Sequence, residues 1–362
     1  MADELAAPVP AQHAGRRTTA AVLRFVIGIL VGSVVLVVLL RRRSELTAAW
    51  HQLGSASLGW LVAAIGAESL SLLWFAALQR SVLRLSGTAM PLPGLYVLSL
   101  ANDAIAATIP GEPAVSSAYR YRYYRRRGAS GASAGWTIFT VLIAQAIGMA
   151  LLLLLGVLIA LAGSTSAVGA GVTVAGLVIV LAAGAVLIRR DLVLRLAGAL
   201  VRAARRVTGH PRGSIGARIE STLARMREIP LSRRSAAGVV AIAGAVWGCD
   251  FFCLVCSFRA VHAAIPWHGV LLAYGAAQVV GSFPLIPGGL GIVEGSLAVV
   301  LVAYGTSRVP AVSAVLAYRV VNYWLAVAVG WVTAALIALS LRRRDREDFG
   351  PQTTPKSSRS LQ

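Results

Sequence analysis

Apolar residues run along this chain in long blocks, without the short alternation of a soluble amphipathic fold. Blocks at 23–40, 58–78, 135–162, 168–188, 236–256 and 310–341 approach or exceed the ~20 residues that cross a hydrocarbon layer. They predict about six full spans. Two further apolar stretches are interrupted: 92–109 and 114–124 around Pro110-Gly111-Glu112, and 270–285 and 290–304 around Pro287-Gly288-Gly289. Their arms of about 11 to 18 residues are too short for a perpendicular crossing. Two re-entrant helical hairpins are therefore expected, with the backbone at each break facing protein or a wet cavity.

The two breaks belong to an internal repeat. With Ile109 laid on Ile286, an offset of 177 residues, Pro110 meets Pro287, Gly111 meets Gly288, Gly128 meets Gly305, Ser130 meets Ser307 and Ala134 meets Ala311. Gln145 meets Asn322, so an amide falls at matching depth in the following helix. Arginine clusters at 120–127, 189–234 and 342–346 all belong on the cytoplasmic face by the positive-inside rule. The first hairpin then dips from the cytoplasmic side and the second from the outer side, an inverted repeat. Arg41 to Arg43 fall outside in this arrangement.

The expected organisation is a disordered cytoplasmic N-terminus (1–19), a transmembrane domain (20–341) with a basic cytoplasmic loop (189–234), and a disordered cytoplasmic tail (342–362). The block at 23–40 resembles a signal peptide, but arginines follow it in place of a small-residue cleavage site, so it reads as a retained helix. Gly28 and Gly32 on it suit close helix packing.

Composition agrees: 57% of the 362 residues are hydrophobic and 13% charged, too few polar side chains for a water-exposed surface. The net charge of +20 is almost wholly arginine, placed beside apolar runs where topology and anionic headgroups account for it. No nucleic-acid partner is expected. Cys249, Cys253 and Cys256 share a helix face without a fourth ligand and read as packing residues, so neither metal nor cofactor is expected.

An ionisable side chain at hydrocarbon depth costs about 3 kcal/mol or more, so each needs a partner or a wet cavity. The candidates are Glu68, Asp103, Glu112, Asp250, Glu294 and Arg319, with Asn102, Gln145, Gln278 and Asn322 as neutral company. Arg319 is the only cation deep in an expected span, and Glu294 follows the second break. Either Arg319 grips a phosphate through its planar fork, or it forms a structural pair with Glu294. The candidate substrate-binding set is Glu294, Arg319, Glu112, Asn322, Asp250, Asn102 and Asp103, with hairpin breaks at Pro110, Gly111, Pro287, Gly288 and Gly289. The Tyr119–Arg127 stretch reads as a headgroup-level anchor, with Arg120 and Arg122 nearest the headgroups.

Ile286-Pro287-Gly288-Gly289-Leu290-Gly291-Ile292-Val293-Glu294, followed by Ala317-Tyr318-Arg319, resembles the hallmark of the lysylphosphatidylglycerol synthase transmembrane-region family. The stretch from Pro110 to Ser116, then Tyr121-Arg122 and Arg127-Gly128-Ala129-Ser130, is similar to stand-alone actinobacterial members. The resemblance implies a flippase-like domain without the soluble aminoacyl-transferase, with Glu294 and Arg319 as functional positions and a phospholipid or lipid-linked substrate. The expectation is a non-enzymatic lipid translocator of the bacterial inner membrane, with both termini cytoplasmic. Membrane phospholipids are its expected partners, and a homo-oligomer or envelope-lipid biosynthetic enzymes are compatible ones. The alternatives are a non-transporting scaffold or accessory subunit of envelope-lipid synthesis, and a small-solute or ion transporter.

Overall fold

The computed structural model describes residues 48, 51–109, 112–163, 171, 174, 232–282 and 287–348. The apolar blocks at 23–40 and most of 168–188, the basic loop up to residue 231, and Pro110 and Gly111 lie outside the described residues, as do both chain ends.

The described chain is helical: α1 (Leu58–Leu85), α2 (Leu92–Thr108), α3 (Glu112–Arg126), α4 (Gly131–Gly163), α5 (Arg233–Ala260), α6 (Val270–Gly281), α7 (Ile292–Ala303), α8 (Arg308–Arg319) and α9 (Ala326–Asp348). A π-helical segment, Val320–Leu325, joins α8 to α9, and Pro287–Gly289 form a 3-10 turn before α7. Four helical stretches are long and apolar enough to cross a membrane: Leu58–Leu85, Gly131–Gly163, Arg233–Ala260 and Arg308–Ile337. Two of them outrun their apolar blocks. Arg84 sits in the last turn of α1 and Arg259 in that of α5, where a long cationic side chain favours the helix C-terminus and reaches polar surroundings. The last helix continues to Asp348, so the chain stays helical past residue 342.

The arms at each break fold back on one another. Near the second, Gly269 before α6 lies against Tyr304 after α7, while Gly281 lies against Val293 at the tip. Near the first, the Tyr123 hydroxyl, late in α3, donates to the Gly94 carbonyl, early in α2, at 3.0 Å. Each pair is therefore an antiparallel hairpin.

The repeat extends through the backbone. Gly128 and Gly305 both have φ +92°. Gly128 N–H donates to Arg125 C=O and Ala129 N–H to Tyr124 C=O; Gly305 N–H donates to Val302 C=O and Thr306 N–H to Leu301 C=O. Both sets are the Schellman closure of a helix C-terminus, with glycine where a Cβ would be strained. The next helix starts alike in both, with Ala134 N–H to Ser130 C=O and Ala311 N–H to Ser307 C=O.

The first helices of the two units, α1 and α5, pack antiparallel. Ser57 N–H donates to Ala260 C=O at 2.8 Å, and Ser71 Oγ to Val246 C=O at 3.0 Å. The units also exchange partners. Gly330 of α9 lies on the α2 backbone at Leu100, and Gly156 of α4 lies on the α6 backbone at Leu272, both too close for a side chain.

Candidate functional site

Depth brings the charged residues together. Glu68 is 10 residues from the start of α1, Asp250 10 from the end of α5 and Arg319 11 from the start of α8. At 1.5 Å per residue each lies about 15–17 Å from its helix end, near the middle of a ~30 Å layer.

Arg319 is the only arginine among the buried described residues, at 6% exposure. Its Nε donates to Glu294 Oε1 at 2.6 Å and one terminal nitrogen to the Gly288 carbonyl at 3.0 Å. Glu294 stands in the first turn of α7, where Oε2 accepts from the Gly291 N–H at 2.6 Å. That bond and the positive end of the helix dipole hold the carboxylate at the hairpin tip. The Arg319 guanidinium lies 4.5 Å from the centre of the Tyr323 ring. Tyr323 in turn donates its hydroxyl to the Ala107 carbonyl at 3.0 Å, one residue before the end of α2. One tyrosine thus touches both hairpins near their breaks.

Asp250 is the second focus. Tyr274 Oη and Gln278 Nε2 donate to Oδ2 at 2.6 and 3.0 Å; Tyr318 Oη and Asn322 Nδ2 donate to Oδ1 at 2.9 and 3.0 Å. Each oxygen is clasped by a tyrosine and an amide four residues apart, one pair on α6, the other spanning α8 and the π segment. Glu68 faces Asp250 and Asn322, with Asp103 of α2 acting on it at longer range, and its Oε2 is buried without a hydrogen-bond partner.

Of the residues expected at the site, the structure brings Glu294 and Arg319 into one pair and Asp250 and Asn322 into another, with Asp103 near Glu68. Asn102 is buried, its Oδ1 unpartnered. Glu112 begins α3, but its side chain, like that of Pro287, lies outside the described residues. Gln145, the repeat mate of Asn322, does not join the site: its Oε1 has no partner and its backbone carbonyl accepts from Trp247.

The Tyr/Arg stretch divides in two. Tyr121, Arg122, Arg125 and Arg126 are exposed. Tyr123 and Tyr124 are instead buried, the latter donating to Gln79 at 2.5 Å, because α3 packs back on α2. Arg120 leans over the Phe75 ring at 5.7 Å. Tyr274 and Tyr323 were not singled out by sequence reasoning; the signal for Tyr274 was the repeated tyrosine–amide spacing with Gln278, matched by Tyr318 and Asn322.

Residues 25–330 match the family described as the lysylphosphatidylglycerol synthase TM region. No curated protein matches the chain.

Proposed function

The chain belongs to the lysylphosphatidylglycerol synthase TM-region family, and from that premise we propose that it translocates an anionic phospholipid or lipid-linked substrate across the bacterial inner membrane. The observation that carries the reading is the Arg319–Glu294 pair, held at the tip of one hairpin and linked through Tyr323 to the other. A guanidinium neutralised by a mid-depth carboxylate is a phosphate site in its resting form: an incoming phosphate competes with Glu294 for the same fork.

The hairpins are read as re-entrant. Arms of 12 residues in α6 and α7 rise about 18 Å each, short of the hydrocarbon thickness. Antiparallel α1 and α5, first helices of two units with matching caps, support an inverted repeat about an axis in the membrane plane. Both termini are then cytoplasmic. The chemistry is binding and movement rather than catalysis, and phospholipid is the partner.

The test uses purified protein in vesicles carrying fluorescently labelled phosphatidylglycerol, with leaflet exchange read by an impermeant quencher. The wild type should exchange the label well above protein-free vesicles. Arg319→Lys keeps the charge but loses the fork, and should slow exchange roughly tenfold, about 1.4 kcal/mol. Equal rates for Arg319→Lys and wild type would refute the phosphate grip. A wild type no faster than empty vesicles would favour the scaffold reading, and uptake of a small solute in place of lipid would favour the solute transporter.

A further inference from the structure

We propose that Glu68 and Asp250 together hold one exchangeable proton at mid-membrane, and that this proton controls the helix segment bearing Arg319. The first half stands on the hydrogen bonds around Asp250 and the burial of Glu68 beside it; the second rests on the translocator reading.

Asp250 and Glu68 approach from antiparallel helices, at 5% and 9% exposure. The hydrogen bonds assign the charge. Besides Glu68, two hydroxyls and two amides meet Asp250, all of them donors, and only a carboxylate accepts the four together. Asp250 is therefore the ionised member. Glu68 has no comparable cage: besides Asp250 itself only the Asn322 amide reaches it, and no donor reaches its buried Oε2. A second negative charge there would sit beside the Asp250 carboxylate and near Asp103, at a depth where each uncompensated charge is costly. The groups acting most strongly on the pair supply no cation. They are Asp103 on α2, Asn322 on the π segment, Tyr274 and Gln278 on α6, and Tyr318 on α8, with Cys249 and Cys253 alongside on α5. Arg319 is engaged by Glu294 and the Gly288 carbonyl. The proton thus rests on Glu68, whose O–H donates to Asp250.

The same cage supplies the coupling. Tyr318 and Asn322 bracket Arg319 in sequence, and α8 ends where the π segment begins. Such π turns often mark functional sites. Tyr274 and Gln278 lie on α6, the partner arm of the one that presents Glu294. When the proton passes from Glu68 to Asp250, Asp250 gains an O–H and can no longer accept every donor, so the clasp on α6 or α8 loosens. The proton then leaves to water and the pair is reloaded from the other side. Each cycle moves one proton. The Glu68 O–H bond breaks as the Asp250 O–H bond forms, and that bond breaks in turn as the proton passes to water. No bond between heavy atoms changes.

The full chain in vesicles is examined by pH-difference infrared spectroscopy. The expected result is a protonated-carboxyl C=O band that shifts on deuteration, disappears in Glu68→Gln, moves in Glu68→Asp and persists in Asp103→Asn. If wild type has no such band, or loses it in Asp103→Asn and keeps it in folded Glu68→Gln, the proton site is refuted; the wild-type measurement decides this even if no variant folds. In the second arm, an imposed pH gradient should speed labelled phosphatidylglycerol exchange several-fold, and an equal sodium gradient should not. Exchange indifferent to pH, or driven by sodium, overturns the coupling and leaves the translocator standing. No exchange with the band intact overturns the translocator and leaves the proton site standing.

Discussion

At the loop between hairpin and following helix, the two halves of the bundle are interchangeable: Gly128 and Gly305 share their φ and their hydrogen bonds. The shared face of the next helix matches as well. Ala134, Thr137, Val141 and Ala144 are buried in α4, and 177 residues later Ala311, Ala314, Tyr318 and Val321 are buried too. One position further round, the halves part. Leu142 is 67% exposed where Arg319 is 6% exposed. The same offset puts Ser117 where Glu294 stands, Val97 for Tyr274, Ala101 for Gln278 and Leu73 for Asp250. The scaffold is thus doubled while the charged chemistry among the described residues is largely single, built from the second half with Glu68 and Asp103 contributed by the first. Among the described residues, a symmetric frame carries one asymmetric charged centre.

The sharpest way to break this comparison is to substitute both members of an offset pair. Asp250→Ala strands two tyrosine hydroxyls and two amides in the core, at about 1–3 kcal/mol for each donor left unpaired, so a loss of about 4 kcal/mol or more is expected. Leu73→Ala, at a position 39% exposed, should cost about 1 kcal/mol or less. Thermal unfolding in detergent, followed by loss of the monodisperse peak, reads both. Comparable losses would mean that the polar cage is not what distinguishes the halves.

The exchanged helix contacts should instead respond alike. Gly330→Ala pushes a Cβ into the Leu100 carbonyl, and Gly156→Ala pushes one into the Leu272 backbone. Overpacking of this kind costs about 1–3 kcal/mol, and both variants should fall in that range in the same unfolding assay. A large loss in one and none in the other would show that only one hairpin is firmly seated.

Much of the scaffold could be read from the sequence, since a block of twenty apolar residues has few other uses. The blocks at 58–78, 135–162, 236–256 and 310–341 correspond to α1, α4, α5 and α8–α9. The Pro-Gly breaks and the Gly128–Gly305 match pointed to the doubling. Arg319, Glu294 and Asp250 were visible because hydrocarbon makes any charge conspicuous. Their partners were harder to see. Tyr274 joins Asp250 across 24 residues and Tyr318 across 68, and neither link is implied by helical spacing within one element. Tyr323 reaches Ala107 across 216 residues, a contact that only the packing of one half on the other creates. Tyr124, within the stretch that reads as a headgroup-level anchor, is buried against protein while its arginine neighbours are exposed, because a helix turns a different face every few residues.

A finer test of the doubling lies in the caps. Gly128→Ala and Gly305→Ala meet no neighbouring atom, so the cost is conformational, about 1–2 kcal/mol for a Cβ in the left-handed region. Equal shifts in unfolding temperature are expected. A difference larger than the error between variants would mean that the two turns bear different loads.

The smallest expected effect is also the one that tests how the halves communicate. Tyr323→Phe removes only the hydroxyl that reaches Ala107 and retains the ring beneath Arg319. A single neutral hydrogen bond contributes about 0.5–1.5 kcal/mol, so stability should fall by no more than that. If the bond ties the resting hairpins together, loosening it should favour their separation and raise labelled-lipid exchange at unchanged label affinity. Tyr323→Ala removes the ring as well, exposing the Arg319–Glu294 pair, and should change affinity too. The split between rate and affinity separates a tether from a binding residue. Equal effects of Phe and Ala on both would mean that Tyr323 acts only through its hydroxyl, and that the ring over Arg319 contributes nothing to holding the cargo.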